Sequence, residues 1–478
     1  MKHLLKNKFL VILALAVLLI LTLGGCGGGS DETSEELPLT DADSGRVSWD
    51  ALNAYASEFV ELMAQGDFST ATAIFNDEVS AVVDATALEE VWQHIVAQAG
   101  TFVAVYEIEN VEADGLYLVL VTSQHEASGV TLTLRFSADG LIAGFTIDNF
   151  PTLGETEVAE TVGFTAYPII IGERTDWPLD GMLSMPDDTT IPVPAVVIVQ
   201  GSGPNDMDGS MSFHIYREIA QYLAANGIAS IRHDKRILTH RAITPNMPPD
   251  YTIMDEAIDD ALLSAEMLRA DPRIDENRVF IIGHSLGASI APRIHAMGGN
   301  FSGLILMAGT PRDPFGELMF EQLTTAVAQA VEMAVIDEAD ADVQLGALQE
   351  AAELFASVLY MTEDEARTFP LPIVSFTAHY QRDMLLHPFS DFIEDIAVPI
   401  LVMQGGRDFQ VLADVDFVMI QELLAGRDNT TFKLYDDLNH SFVSSSATNF
   451  TEHAADMQTN PGRVEVAVLR DIVDWILG

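Results

Sequence analysis

The sequence predicts an α/β protein: a mostly parallel sheet flanked by helices and carrying a helical insertion, preceded by a small α+β domain. Three observations predict this. After Pro151 the short apolar runs PAVVIVQ, IASI, RVFIIG, SGLILMAG and PILVMQG recur with helical stretches among them, as strands buried on both faces should. Before Pro151 the order is different, helices first and then four strand-like runs. Between SGLILMAG and PILVMQG lies far more chain than one crossover helix needs.

In chain order, residues 1–25 read as a leader. Lys2, Lys6 and Lys8 precede an apolar run, and Leu23, Gly24 and Gly25 stand just before Cys26, the only cysteine of the chain. A membrane helix would fit the apolar run, but small residues before a lone cysteine resemble a bacterial lipoprotein signal peptide. In that pattern the cysteine becomes the lipidated first residue of the mature protein. An uncleaved anchor is the alternative. A single cysteine forms no intrachain disulfide, which agrees with export. Residues 26–46 are small, polar and acidic, as suits a flexible linker between membrane and folded body.

Residues 47–150 form the predicted α+β domain. Leu52, Tyr55, Phe59, Leu62 and Met63 recur at helical spacing, as do Leu88, Val91, Trp92 and Ile95. The runs TFVAVYEIENV, GLYLVLVTSQHE, VTLTLRFSADG and LIAGFTIDNF follow, with turn signals between them. The pattern resembles the NTF2-like or cystatin-like domain of unknown function, of the DUF3887 kind, that precedes hydrolase domains in exported bacterial proteins. It holds no catalytic constellation, and a ligand-binding or spacing role is all it implies.

The chemistry is expected in residues 160–478. There, Tyr251 to Ala270 carries Met254, Ala257, Ile258, Ala261, Leu262 and Leu268 on one helical face. Gly283-His284-Ser285-Leu286-Gly287 fits G-x-S-x-G, with a strand before it and a helical stretch after it. Glycines flank the serine because a nucleophile on such a turn sits in a strained backbone, where side chains two residues to either side would collide with their neighbours. A serine hydroxyl needs a base and an orienting acid. Asp408, after PILVMQG, and His440, after TTFKLY, supply them in the order Ser, Asp, His at strand C-terminal ends. Asp436 and Asp437 lie too close in sequence to His440 and read as turn residues, and His453 follows no strand. His284, His233, His295 and His379 read as packing or surface residues. The oxyanion donors expected are the Leu286 N–H and that of Ser202 or Gly203 in the loop Gly201-Ser202-Gly203-Pro204-Asn205-Asp206.

QGSGPNDMDG, RHDKR, GHSLGAS, QGGRDFQV and DLNH, in this order, resemble the α/β-hydrolase superfamily, and within it the esterase and acyl-thioester-hydrolase-like branch related to dienelactone hydrolases. The resemblance implies serine esterase chemistry on carboxylic esters. Thioesterase, peptidase and lysophospholipase remain open on the same residues. A ligand-binding lipoprotein with a vestigial hydrolase is the rival of another class, and the complete set Ser285, Asp408 and His440 weighs against it. Two departures stand out. Ile237 follows Arg236 where many relatives carry glycine, and the absence of HGGG argues against the hormone-sensitive-lipase type.

The inserted segment, about residues 311–390, reads as a helical cap over Ser285. Met319, Leu323, Val327, Val331 and Val335 form one stripe, and Leu348, Ala351, Leu354, Phe355 and Val358 form another. Part of both stripes must pack on each other. Tyr380, Arg382 and His387 are candidate pocket-lining residues. No metal or organic cofactor is expected, because no histidine and carboxylate cluster has ligand spacing. The net charge of −49 repels phosphate backbones and argues against nucleic acid. The expected partners are a small ester and the membrane, through Cys26. The expected location is the extracytoplasmic face of the cell membrane.

Overall fold

The computed structural model describes residues 48–149 and 163–478, apart from the short segments 81–82, 114–115, 126–128, 138–139, 210–212, 241–247, 334–335, 373, 375 and 460–461. The expected leader, Cys26 and the expected linker therefore lie outside the described residues. Among the described residues no helix is long and apolar enough to cross a membrane. The chain divides into two compact bodies, one before and one after residue 160.

In the first body, helix α1 (Trp49–Gln65) is capped by the Ser48 hydroxyl, and α2 (Ala85–Ala99) by the Asp84 carboxylate. Strands β1 (Phe102–Ala113), β2 (Leu116–His125), β3 (Gly129–Phe136) and β4 (Ile142–Asn149) form an antiparallel sheet in chain order. Phe59, Met63, Leu88, Trp92, Val119, Val121, Leu132 and Leu134 make one core between helices and sheet. The helical and alternating spacings of the sequence thus face one another.

The second body is an eight-stranded sheet ordered β12-β11-β10-β9-β7-β8-β6-β5. Its strands are β5 (Phe164–Ile171), β6 (Leu179–Pro186), β7 (Val193–Val199), β8 (Ala229–His233), β9 (Ile274–His284), β10 (Leu304–Met307), β11 (Ile400–Gly405) and β12 (Thr430–Tyr435). β6 pairs antiparallel with both β5 and β8, and every other pairing is parallel, so β6 alone is reversed. Every residue of β7, β10 and β11 is buried, which explains their unbroken apolar runs. Ile237 sits in the short helix Arg236–Thr239 without a positive φ and buries its side chain in the core, so no glycine is needed there.

The insertion folds as a helical layer with a core of its own. Helix α3 (Met319–Glu332) contributes Met319, Leu323 and Val327, and α4 (Glu338–Ser357) contributes Leu348, Ala351 and Phe355. The two stripes pack on each other, with the Phe320 and Phe355 rings edge-on at 5.1 Å. Val335 lies outside the described residues. Side chains tie this layer to the sheet domain: Arg312 chelates Asp416 at 2.8 and 2.9 Å, and Arg293 chelates Asp383 at 2.7 and 3.0 Å.

Candidate active site

Ser285 is the residue between β9 and helix α5 (Leu286–Ile294), with φ 54° and ψ −119°. Only glycine visits such a conformation cheaply, so the surroundings must hold the serine there. The flanking glycines show how. A Cβ on Gly283 would stand 2.3 Å from the Gly287 carbonyl oxygen, and one on Gly287 would stand 2.2 Å from that of Val199 at the end of β7. Backbone meets backbone at both positions, and nothing larger than hydrogen fits. The Ser285 N–H still donates to the Met307 carbonyl at 2.9 Å, which anchors the turn to β10.

Leu286 opens the helix, so its N–H has no intrahelical acceptor and lies at the positive end of the helix dipole. The loop after β7 runs beside the serine: a Cβ on Gly201 would lie 3.1 Å from that of Ser285. The Gly201 N–H donates to the Tyr216 hydroxyl at 2.9 Å, which leaves Ser202 and Gly203 as the expected donors of that loop. Asn205 braces the turn, its amide donating to the Ser202 carbonyl at 2.8 Å and the Gly201 carbonyl at 3.2 Å.

Asp408 and His440 follow β11 and β12, adjacent parallel strands, and meet at 2.7 Å between Oδ2 and Nδ1. Asp408 is buried, which by itself would raise its pKa. The facing His440, and beyond it His453 and the Val411 N–H, more than offset this and hold the carboxyl below its ordinary range. Its Oδ1 accepts the N–H groups of Gln410 and Val411, both at 2.9 Å, and Oδ2 accepts the Gln404 amide at 3.0 Å. An ionised Asp408 keeps the proton of His440 on Nδ1 and leaves Nε2 with its lone pair.

His284, read from the sequence as packing or surface, joins these loops. Its Nε2 lies 2.9 Å from the His440 carbonyl oxygen and its Nδ1 3.2 Å from the Tyr216 hydroxyl. A carbonyl only accepts, so Nε2 carries the proton and Nδ1 accepts from Tyr216, whose oxygen in turn accepts the Gly201 N–H. Burial, with the neighbouring His440 second, pushes the His284 pKa down to about 3 and keeps the ring neutral. The His284 and His440 rings are 4.8 Å apart.

His453 has its Nε2 3.1 Å from the Gln410 amide nitrogen and is buried close to Asp408, yet the carboxylate bonds to His440. Asp436 and Asp437 are turn residues after β12, as their sequence position suggests. The three candidate lining residues are engaged elsewhere. Tyr380 is wholly buried with its hydroxyl on Glu256 at 2.7 Å, Arg382 donates to the Met361 carbonyl at 3.0 Å, and His387 is exposed beside Asp383. Among the described residues no group of three or more histidine, cysteine or acidic side chains could hold a metal ion.

Known proteins share this architecture. Residues 209–446 match the family described as serine aminopeptidase, S33. Residues 56–145 match a protein family of unknown function, DUF3887. The esterase EstD of Thermotoga maritima is 26% identical over 441 residues, spanning 91% of this chain and 97% of its own. The second body has the α/β-hydrolase fold. Among solved structures, the chain is similar to Est1E from Butyrivibrio proteoclasticus, at 14% identity and a TM-score of 0.40, covering 65% of this chain and 99% of the other. The acylaminoacyl peptidase of Pyrococcus horikoshii is similar at 14% identity and a TM-score of 0.39, over 74% and 54%.

Proposed function

We propose that the protein is a serine carboxylesterase, tethered to the outer face of the cell membrane, that cleaves short to medium esters through an acyl-enzyme. The observation that carries the chemistry is the strained Ser285 turn standing at the same sheet edge as the 2.7 Å Asp408–His440 pair. Ser285 Oγ attacks the acyl carbon while His440 Nε2 takes its proton, and Asp408 stabilises the imidazolium that results. The oxyanion is received by the Leu286 N–H and that of Ser202 or Gly203. His440 then protonates the leaving alkoxide, and water repeats the sequence on the acyl-serine. EstD, an esterase similar along nearly its whole length, supports ester cleavage.

The cap supports the size preference. Glu332, Asp337, Glu338, Asp342, Glu350 and Glu353 are exposed on it, and so acidic a face is repelled by anionic bilayers and makes a poor interfacial surface. An apolar pocket gains about 0.8 kcal/mol per methylene until it is full, so activity should peak at acyl chains of about two to eight carbons. Membrane tethering rests on the Lys-rich, apolar leader ending at Gly25-Cys26. Replacing Cys26 by serine releases the protein from the membrane fraction on this reading, and retention there favours an uncleaved anchor.

The family description favours a second reading, an aminopeptidase. The two part at the leaving group, since an amine must be protonated by His440 whereas p-nitrophenolate leaves unaided. Measuring kcat/KM on p-nitrophenyl esters from acetate to palmitate beside aminoacyl p-nitroanilides decides between them. The esterase reading expects a maximum among the short esters. Dominant anilide turnover would refute it, and a monotonic rise to palmitate would refute the preference for short to medium chains and favour a lipase or lysophospholipase.

A further inference from the structure

Gly201 is gripped from both sides. Its N–H is taken by Tyr216, and its carbonyl oxygen accepts Lys235 Nζ at 2.8 Å. The same ammonium lies 2.5 Å from Glu256 Oε1, and Glu256 Oε2 accepts the Tyr380 hydroxyl at 2.7 Å. Lys235, Glu256 and Tyr380 are 1%, 6% and 0% exposed, so this line of charges and dipoles is shielded from water. It starts on the segment following β8, crosses the first turn of the helical stretch Met254–Ala270, and ends on helix α6 (Ala378–Leu386) of the insertion.

We propose that Lys235 is a positioning residue for the oxyanion donor of Ser202, and that Glu256 and Tyr380 make its position depend on how the cap helix is seated. The proposal rests on the reading that this loop receives the oxyanion. The peptide bond between Gly201 and Ser202 is trans, so its C=O and its N–H point in opposite directions in one rigid plane. An ammonium fixed on the carbonyl side therefore fixes the N–H on the other side, where a neutral, mobile donor would leave the plane free to rock. It also polarises the peptide, which strengthens the N–H as a donor when negative charge develops opposite it.

A buried ion pair is a poor means of stabilising a fold, because desolvation consumes most of the Coulombic gain. Composition gives no reason for a lysine here either, since only Lys235 and Lys433 occur beyond the leader. Arginine would be no substitute, its planar fork being unable to act as a point charge on one carbonyl and one carboxylate oxygen in this space. The Glu256 carboxylate holds the ammonium in place, and the Tyr380 hydroxyl holds the carboxylate. A shift of the cap helix would therefore reach the reacting carbonyl through three hydrogen bonds.

The test uses the full chain with Lys235→Met, Glu256→Gln and Tyr380→Phe. Each is read by kcat and KM on p-nitrophenyl butyrate, by the inhibition constant of an alkyl trifluoromethyl ketone, and by thermal unfolding. The ketone's hemiketal adduct places a full oxyanion in the loop. We expect kcat to fall by about ten- to a hundredfold in Lys235→Met and by about three- to tenfold in Tyr380→Phe, with KM within about twofold. The ketone should weaken by the same factor as kcat/KM in each variant. Folded variants with unchanged kcat, or with ketone affinity unchanged while kcat falls, overturn the proposal. If Lys235→Met fails to fold because Glu256 is left unpaired, Tyr380→Phe decides alone. A wild-type protein that hydrolyses no ester defeats the functional reading itself, whereas an active wild type with indifferent variants defeats only this inference.

Discussion

The two bodies of the chain bury polar groups in different ways. Among the described residues, the first body buries Ser123 and His125, with His125 Nδ1 3.0 Å from the Gly100 carbonyl oxygen. The second buries Lys235, Arg236, Glu256, Asp260, His284, Asp408, Asp416 and His440, and these are paired with other polar groups, some as distant in sequence as His284 and His440 or Arg312 and Asp416. Desolvating such groups costs several kcal/mol each unless partners are supplied, so a fold that gathers them needs a reason other than stability. In the first body helix and sheet simply close a hydrophobic core. In the second, polar side chains hold three loops at one edge of a sheet. The difference supports placing the proposed chemistry in the second body.

The largest effects should come from the loops themselves. Ser285→Ala and His440→Ala should each lower kcat by about 10⁴-fold or more, and the double variant should be little worse, because the groups act as a unit. Asp408→Asn should cost about 10³- to 10⁴-fold by letting His440 take the wrong tautomer. Steady-state kinetics on a soluble ester checks all of these, and additive losses in the double variant would break the claim that Ser285 and His440 work together.

A moderate effect concerns stability and pH. The folded His284 titrates at about 3 against an ordinary 6.5, so between these values the unfolded chain binds more protons than the folded one. Stability therefore rises with pH across that window, and it is lost as pH falls from about 6.5 toward 3, by an amount on the order of a few kcal/mol. His284→Gln should flatten that slope relative to wild type in urea titrations at a series of pH values. Identical slopes would mean that the ring carries no such burden. The smallest effect sharpens the comparison from the other side: a protein beginning at residue 155 should keep ester turnover within about twofold, because every group in the proposed mechanism lies in the second body. A folded but inactive truncation would show that the first body completes the pocket.

Much of the fold was legible because burial on both faces writes itself as apolar runs. β7, β9, β10 and β11 are visible in this way, and so is the change of pattern near residue 151. The pair β5 and β6 was not. β5 is an edge strand whose run ending in Ile169, Ile170 and Ile171 contains Pro168 and is mostly exposed, and β6 is interrupted by Asp180, Gly181 and Ser184, so neither reads as a strand buried on both faces. Ser285, Asp408 and His440 stood out as candidates because each follows a recognisable strand and its chemistry is local to a motif, and the structure brings Asp408 and His440 into contact. Tyr216, His284, Glu256 and Tyr380 could not be read from the sequence, since what they do is defined by partners that only folding brings near. Lys235 lay within a noted motif, RHDKR, whose residues gave no hint of the Gly201 carbonyl. Tyr380, named as a candidate pocket-lining residue, is instead buried with its hydroxyl on Glu256, a carboxylate distant in sequence.

Active-site labelling of the full chain decides whether Ser285 is the nucleophile. A fluorophosphonate should add once, to the peptide carrying Ser285, with ester hydrolysis lost in proportion to the fraction labelled. Label on another residue, or full hydrolysis in quantitatively labelled protein, would contradict that role.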